Sequence, residues 1–404
     1  MNNLLGLAVL FAAIAIGWWL GRRSVQQSPA ARLPGQYYKG LNYLLDDRPD
    51  GAVDAFIDAL EVNSETLETH IALGNLLRKR GEVDRAIRIH QNLLARPSLP
   101  RSQVHQAHLE LARDYISAGL FDRAERLLKD LVSHSPEQRR ASLRYLLEIY
   151  QSQREWQQAI DTASALLPRR GLLGGAGGSM PLGANRQPVN VALAHYHCEL
   201  AATLVSAGRS GEARAQLQQA LNRDRRCVRA SLMLAELDYA AGDYRQAIRS
   251  LKRVEDQDPD LLAEVVPQLR ACHRALTDIT SLREYLQASL EAHASVPLLL
   301  ATVEEICEHD GPAEAEAFLA AKLAKQPSLR GMVRLLELQS GTCSGGVRDQ
   351  LRHLQGLLAN LIAEQPVYRC SHCGFAGRQL HWFCPGCKHW GTVKPLPGTR
   401  SEAL

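Results

Sequence analysis

Residues 74–91 read GNLLRKRGEVDRAIRIHQ. A small residue, Gly74, and a large one, Leu77, stand before a turn at Gly81, and a second small residue, Ala86, stands just beyond it. Such an order describes two short helices joined by a tight turn, touching where their side chains are small. One helix pair cannot bury its apolar face alone, so the question is whether the unit recurs.

It does. Turn-then-small segments return as RPDGAVDAF, AGLFDRAERLL, SQREWQQAIDTA, AGRSGEARAQL, AGDYRQAIRSL and DGPAEAEAFL. Their alanines, with Ala86, are Ala52, Ala124, Ala159, Ala213, Ala247 and Ala315; the steps are 34, 38, 35, 54, 34 and 68 residues, the last being twice 34. Twelve residues before the first six stand Gly40, Gly74, Ala112, Leu147, Ala201 and Ala235, and three further on come Tyr43, Leu77, Tyr115, Tyr150, Leu204 and Asp238. Pro136 and Pro259 follow Ala124 and Ala247 by twelve residues, where the second helix should stop. Small residues at helix contacts, large ones filling the gap and a closing proline make up the tetratricopeptide pattern. The expected fold is all-α: a superhelix of about eight to nine helix pairs over residues 36–362, irregular at its ends.

The 54-residue step holds RRGLLGGAGGSMPLGANRQP, residues 169–188, whose glycines and prolines cannot continue a helix. No Gly-Lys-Ser/Thr follows, so this is no phosphate loop; it reads as a mobile insertion between repeats, or as a loop that touches a partner. Solenoids of this kind hold other proteins along the face lined by the first helix of each pair. In this register Asn75, Arg78, Arg113 and Glu236 point into that groove, the plainer reading being ordinary solvated side chains. His70, His90, His105, His108, His195 and His197 are scattered, with no serine, cysteine or aspartate at a catalytic spacing, so no enzyme is expected.

The 404 residues carry 47 basic and 43 acidic side chains, a net +4 that argues against binding nucleic acid by bulk charge. Nine cysteines do not form the framework of a small secreted domain and fit a reducing compartment. Cys198, Cys227, Cys272, Cys307 and Cys343 occur singly and read as small buried apolar residues.

Residues 4–20, LLGLAVLFAAIAIGWWL, form an uncharged run followed by Arg22 and Arg23. As a helix this run is about 25 Å long, near the lower limit for crossing a bilayer. Trp18 and Trp19 fall where an interfacial aromatic belt belongs, and the arginines place everything after them in the cytoplasm. The first residues, MNN, carry no positive charge and no Ala-x-Ala-like site follows, so an uncleaved anchor is expected rather than a signal peptide.

The chain closes on YRCSHCGFAGRQLHWFCPGCKHWGTVKP, residues 368–395. Cys370 and Cys373 form one Cys-x-x-Cys pair, Cys384 and Cys387 another, and four thiolates suit a tetrahedral zinc or iron. Gly374 and Pro385-Gly386 supply the turns. A closed sulfur shell leaves no position for substrate or for His372, His381 and His389, so the site reads as a fastener. A dithiol redox pair would sit in a strand–helix setting, which is missing here. Tyr368, Phe375, Trp382, Phe383 and Trp390 are expected to form the module's own apolar core, with the metal needed to keep it folded. Held iron would permit one-electron transfer, so an electron carrier is the rival class; a nucleic-acid-binding ribbon using Arg369, Arg378, Lys388 and Lys394 is a further one.

Taken together, WWLGRRSVQQ, GNLLRKRGEVDRAIRIHQ and YRCSHCGF…CPGCKHW…KP resemble the lipopolysaccharide assembly protein B family over nearly the whole chain. That resemblance implies residues 1–21 as a transmembrane anchor in the bacterial inner membrane, 22–35 as a linker, 36–362 as the solenoid and 363–404 as a rubredoxin-like metal domain and tail. It implies an adaptor that brings the lipid A deacetylase LpxC to the membrane protease FtsH, works at the site of lipopolysaccharide assembly, and makes or breaks no bond itself. A general membrane scaffold with other clients is the alternative within the same class. The family's metal ligands match Cys370, Cys373, Cys384 and Cys387 one for one. Rubredoxins space their halves more widely and carry glycine after each pair, whereas Lys388 follows the second pair here, so zinc and iron both stay open. The glycine-rich insertion departs from the family.

Overall fold

The computed structural model describes residues 67–95, 99–167, 181–182, 187–293, 295–342, 344–363 and 365–396, with isolated positions at 15, 16, 18, 19, 39, 42, 43 and 51. The expected anchor therefore lies outside the described residues apart from Ala15, Ile16, Trp18 and Trp19. Among the described residues no helix is long and apolar enough to cross a membrane. Most of the insertion, with Ala52, Gly40 and Cys343, also lies outside them.

The helices come in successive pairs: α1 (Leu67–Lys79) with α2 (Val83–Leu94), α3 (Arg101–Ser117) with α4 (Phe121–His134), and α5 (Pro136–Gln153) with α6 (Trp156–Leu166). After the insertion come α7 (Val189–Ser206) with α8 (Ser210–Arg223), and α9 (Val228–Ala240) with α10 (Tyr244–Lys252). A single turn, α11 (Val254–Gln257), and a 3-10 turn over Pro259–Leu261 lead to α12 (Leu262–Ala275) and α13 (Ile279–Ala292). Two more pairs follow: α14 (Val296–His309) with α15 (Pro312–Lys325), and α16 (Leu329–Thr342) with α17 (Gly346–Ala363). Pro136 stands at the first position of α5, directly after α4 has ended, as a closing proline should.

The contact register is the one read from the sequence. Ala86, Ala124, Ala159, Ala213, Ala247 and Ala315 are each the fourth residue of the second helix in a pair, and each is 0% exposed. Gly74, Ala112, Leu147, Ala201 and Ala235 face them from the first helices and are buried too. A methyl group on Gly74 would lie 2.5 Å from the His90 ring, so only glycine fits there. The 68-residue step conceals a repeat whose small residue is replaced: the fourth residue of α13 is Leu282, fully buried.

Turn geometry confirms that register. Gly81, Gly119, Gly208 and Gly242 have φ values between 74° and 85°, and each stands five residues before its buried alanine. Arg154 (φ 60°) occupies that place before Ala159, and Thr277 (φ 55°) before Leu282. Left-handed backbone is needed to reverse the chain in so few residues, and glycine supplies it without steric cost.

The chain divides into two compact units, Met1–Ser142 and Leu143–Leu404. In the first, Leu67, Ile71, Leu93 and Ala107 form one buried cluster and Leu77, Ala86 and Ile89 another. In the second, an alanine-rich cluster on α7–α9 holds Ala194, Cys198, Ala201, Leu217 and Cys227, and a larger one runs from Val228 to Leu338. The second unit also carries two small sheets: the hairpin β1 (Pro181–Leu182) with β2 (Gln187–Pro188), and the three-stranded sheet β4 (Ala376–Gly377), β3 (Tyr368–Cys370), β5 (Val393–Pro395) in that spatial order.

Candidate metal centre

In the terminal sheet Cys370 pairs with Val393, and Arg369 with both Ala376 and Lys394. This frame fixes the first knuckle. The Gly374 amide then donates to the Cys370 carbonyl at 3.0 Å, and the Lys388 amide to the Cys384 carbonyl at 3.0 Å, so the two Cys-x-x-Cys turns are built alike. Gly374 closes the first with φ 76° and Lys388 the second with φ 59°. A lysine thus adopts the backbone that rubredoxin-like knuckles give to glycine.

These turns bring Cys370, Cys373, Cys384 and Cys387 together, with all four sulfurs within 4.8 Å of one another. The Cys370–Cys387 and Cys373–Cys384 sulfurs are each 3.7 Å apart. A tetrahedron with metal–sulfur bonds of about 2.3 Å has edges of about 3.8 Å, so the donor set fits one zinc or iron ion. Burial pushes the Cys370 thiol up, but Thr392 Oγ1 at 3.3 Å and the amides of Cys373 and His372 outweigh burial and draw it down to about 6. Burial and the neighbouring sulfurs push Cys387 up to about 12. One sulfur ionises readily while another is held protonated; a cation among them releases the remaining protons.

No imidazole joins this group among the described residues. His389 is 4% exposed, sits with Nδ1 3.1 Å from the Cys387 carbonyl oxygen, and packs on His372 with ring centroids 4.0 Å apart.

The aromatic side chains depart from the expectation of a self-contained core. The knuckle's own core is Cys370, Cys384 and Val393, with Tyr368, Phe375 and Leu380 against it. Trp382 instead packs on the large helical cluster, and Trp390 turns onto α6 and α7. Its ring stacks on His195 at 5.1 Å and meets Tyr196 and Trp156 edge-on at 5.8 and 6.4 Å. So short a module cannot enclose two indoles; the repeats help bury Trp390 and partly cover Trp382.

Polar contacts complete the docking. Gln187, at the end of the insertion, accepts from the Trp390 N–H at 3.0 Å and donates to the Trp390 carbonyl at 2.8 Å. Tyr368 donates to Glu264 at 2.8 Å. Lys394 Nζ lies 3.0 Å from Asp258 and 3.1 Å from Asp260. Gly391 has φ 65°, and an added methyl would come 3.1 Å from His195 Nε2, so glycine avoids both backbone strain and a tight contact there. Of the four basic residues considered for nucleic acid, Lys394 is thus engaged, Arg378 donates to the Ala363 carbonyl, and Lys388 lies over the Phe383 ring.

Of the residues assigned to a groove, Arg78 is braced rather than free. Its side chain, 9% exposed, pairs with Asp114 at 2.6 Å and Glu110 at 3.0 Å, and hydrogen-bonds Asn75. Glu110 also holds Arg113 at 2.8 Å, and Asp114 meets His90 Nδ1 at 2.5 Å. The second unit repeats the device between first helices one repeat apart: Arg229 with Glu199, Arg270 with Glu304, and Arg274 with Glu308. Glu236 alone of the four is exposed on α9; surrounding protein nevertheless pushes its carboxyl up. Sequence reasoning could place these residues on one face but not see that they pair across repeats. The 30 to 36 residues separating the partners were the available signal.

The knuckle, residues 368–395, matches a family model described as a rubredoxin metal binding domain, and residues 69–103, 109–171 and 204–269 match tetratricopeptide-repeat models. Lipopolysaccharide assembly protein B of Escherichia coli strain K12 is 36% identical over 394 residues, 96% of this chain and 97% of that one. The chain belongs to the lipopolysaccharide assembly protein B family. A Haemophilus influenzae member is 35% identical over 408 residues, covering 98% of both chains. Family membership thus spans the helical repeats and the four-cysteine knuckle together, and ties the chain to lipopolysaccharide assembly.

Proposed function

We propose that this chain is an inner-membrane adaptor that presents LpxC to FtsH for degradation, with its soluble part in the cytoplasm, and so sets lipopolysaccharide synthesis against demand. The observation that carries the reading is near-full-length similarity to lipopolysaccharide assembly protein B, with both modules kept together. Two further features support it. The repeats offer a protein-holding surface, and the uncharged run before Arg22 and Arg23 would confine that surface to the membrane, raising the effective concentration of anything it holds. The sulfur site has four protein ligands and no spare position, so the metal it would take holds the knuckle's shape, and the knuckle is spent on docking to α6, α7 and α12.

Replacing Cys370 and Cys373 with serine in the full-length protein is the direct test. The expected result is loss of bound metal and slower LpxC turnover together, with helical content retained. LpxC turnover that continues unchanged in metal-free protein overturns the reading.

The rubredoxin description of the matched domain favours a second reading, an electron carrier. That reading requires iron and a reversible one-electron couple. A colourless, zinc-loaded protein that still captures LpxC removes it.

A further inference from the structure

Away from the knuckle, a second pair of sulfurs meets. Cys198 on α7 and Cys227, which caps the N-terminus of α9, have their Sγ atoms 3.8 Å apart across adjacent repeats. Both are buried, at 0% and 2% exposure, among Ala194, Ala201, Ala220 and Ala230. We propose that Cys198 and Cys227 form an oxidisable dithiol, which a peroxide converts to a disulfide joining two neighbouring repeats.

The geometry makes the bond short work. A disulfide needs the sulfurs about 2.05 Å apart, so closure asks for less than 2 Å of approach in a cluster where half the buried residues are alanines. The two sulfurs are not equivalent. The Cys198 thiol and the Ala230 amide are directed at the Cys227 sulfur and hold its thiol down, while burial pushes Cys198 up. Arg229, itself paired with Glu199, lowers both thiols; Asp224, in the turn before Cys227, opposes it there, and Glu199 opposes it at Cys198. A thiol and a helix N-terminal amide aimed at one sulfur favour its thiolate, which makes Cys227 the attacking sulfur.

That turn is also the way in. Arg223, Arg225 and Arg226 are exposed, and the segment is pinned by Gln257, which donates to the Arg225 carbonyl at 2.8 Å and accepts from Arg226 at 3.2 Å. Local opening there uncovers Cys227 to a small neutral oxidant. The Cys227 thiolate attacks one peroxide oxygen, the O–O bond breaks, and hydroxide leaves, giving a sulfenic acid. The Cys198 sulfur then displaces the sulfenic oxygen, which departs as water with the thiol proton. In sum, two thiols and one hydrogen peroxide give one disulfide and two waters.

The test uses metal-loaded full-length protein and hydrogen peroxide. After quenching, thiols are alkylated in denaturant and peptides are read by mass spectrometry, with metal content measured on the same sample. A linked peptide pair containing Cys198 and Cys227, with metal retained, is expected. Full alkylation of both, under doses that already oxidise the knuckle cysteines, overturns the proposal. Cys198→Ala provides the second arm, since alanine suits the surrounding cluster: Cys227 should then be trapped as a dimedone adduct. No adduct at Cys227 there, with one at Cys198 in Cys227→Ala, overturns the assignment of the attacking sulfur.

Discussion

The side-chain amide of Gln187 grips the peptide of Trp390 from both sides, accepting from its N–H at 3.0 Å and donating to its carbonyl at 2.8 Å. The partners are 203 residues apart, and this contact joins the end of the insertion to the knuckle. Gln187→Ala leaves two backbone groups of a residue that is 4% exposed without partners, a cost of about 1–3 kcal/mol. Metal release to a chelator is then expected to quicken roughly 5- to 150-fold, because the knuckle undocks more often. An unchanged release rate would mean that the aromatic contacts alone set docking.

Arg78 separates a bracing role from a recognition role. Its removal leaves Asp114, 0% exposed, without its guanidinium, and breaking a buried pair this way costs about 3–5 kcal/mol. Arg78→Ala should lower the denaturation midpoint of the N-terminal unit whether or not a partner is present. Glu236→Gln, at an exposed site of the second unit, should leave the midpoint of its own unit within experimental error. A stable Arg78→Ala protein would refute the brace.

Thr277 offers a gain. A β-branched residue at φ 55° carries a steric penalty of about 1–2 kcal/mol, part of which glycine's greater chain entropy offsets. Thr277→Gly is expected to raise thermal stability modestly, and Gly242→Ala, in the matching turn at φ 80°, to lower it. If both substitutions move the melting temperature the same way, the turn analysis fails.

His195 should make the docked state acid-sensitive. Burial, aided by Arg229, depresses its pKa from 6.5 to about 3. The unfolded chain therefore binds a proton below pH 6.5 that the folded chain refuses, so this contribution is complete above pH 6.5 and shrinks as pH falls toward 3. The slope reaches at most about 1.4 kcal/mol per pH unit. His195→Phe keeps a ring against Trp390 and should lose less stability between pH 7 and pH 5. Protonation of the metal-binding thiols is common to both proteins and cancels in the comparison. Equal losses would place the acid sensitivity elsewhere.

The repeat was legible because its signal is local: a small residue must stand where two helices touch, so Ala86, Ala213 and Ala247 announce their own packing. The repeat at α13 showed only as a doubled step for the same reason, since Leu282 fills the contact with bulk rather than with absence. Cys370, Cys373, Cys384 and Cys387 were equally plain, because a metal needs donors close in sequence to form each knuckle. The docking was not legible. Trp390 and Trp382 looked like the filling of a small module, and nothing within residues 368–395 reveals that His195 and Tyr196 are their neighbours or that Glu264 accepts from Tyr368. The ion pairs of Arg78 and Arg270 were hidden likewise, because composition shows charges but not which of them meet one repeat away.

The platform of Trp156, His195 and Tyr196 leaves the ribosome long before the piece that covers it. At about 5–20 residues per second, the 203 residues from Gln187 to Trp390 take roughly 10 to 40 s to make. During that interval the nascent chain carries these three rings without the indole that packs on them. A chain that stops before Trp390 leaves that surface uncovered.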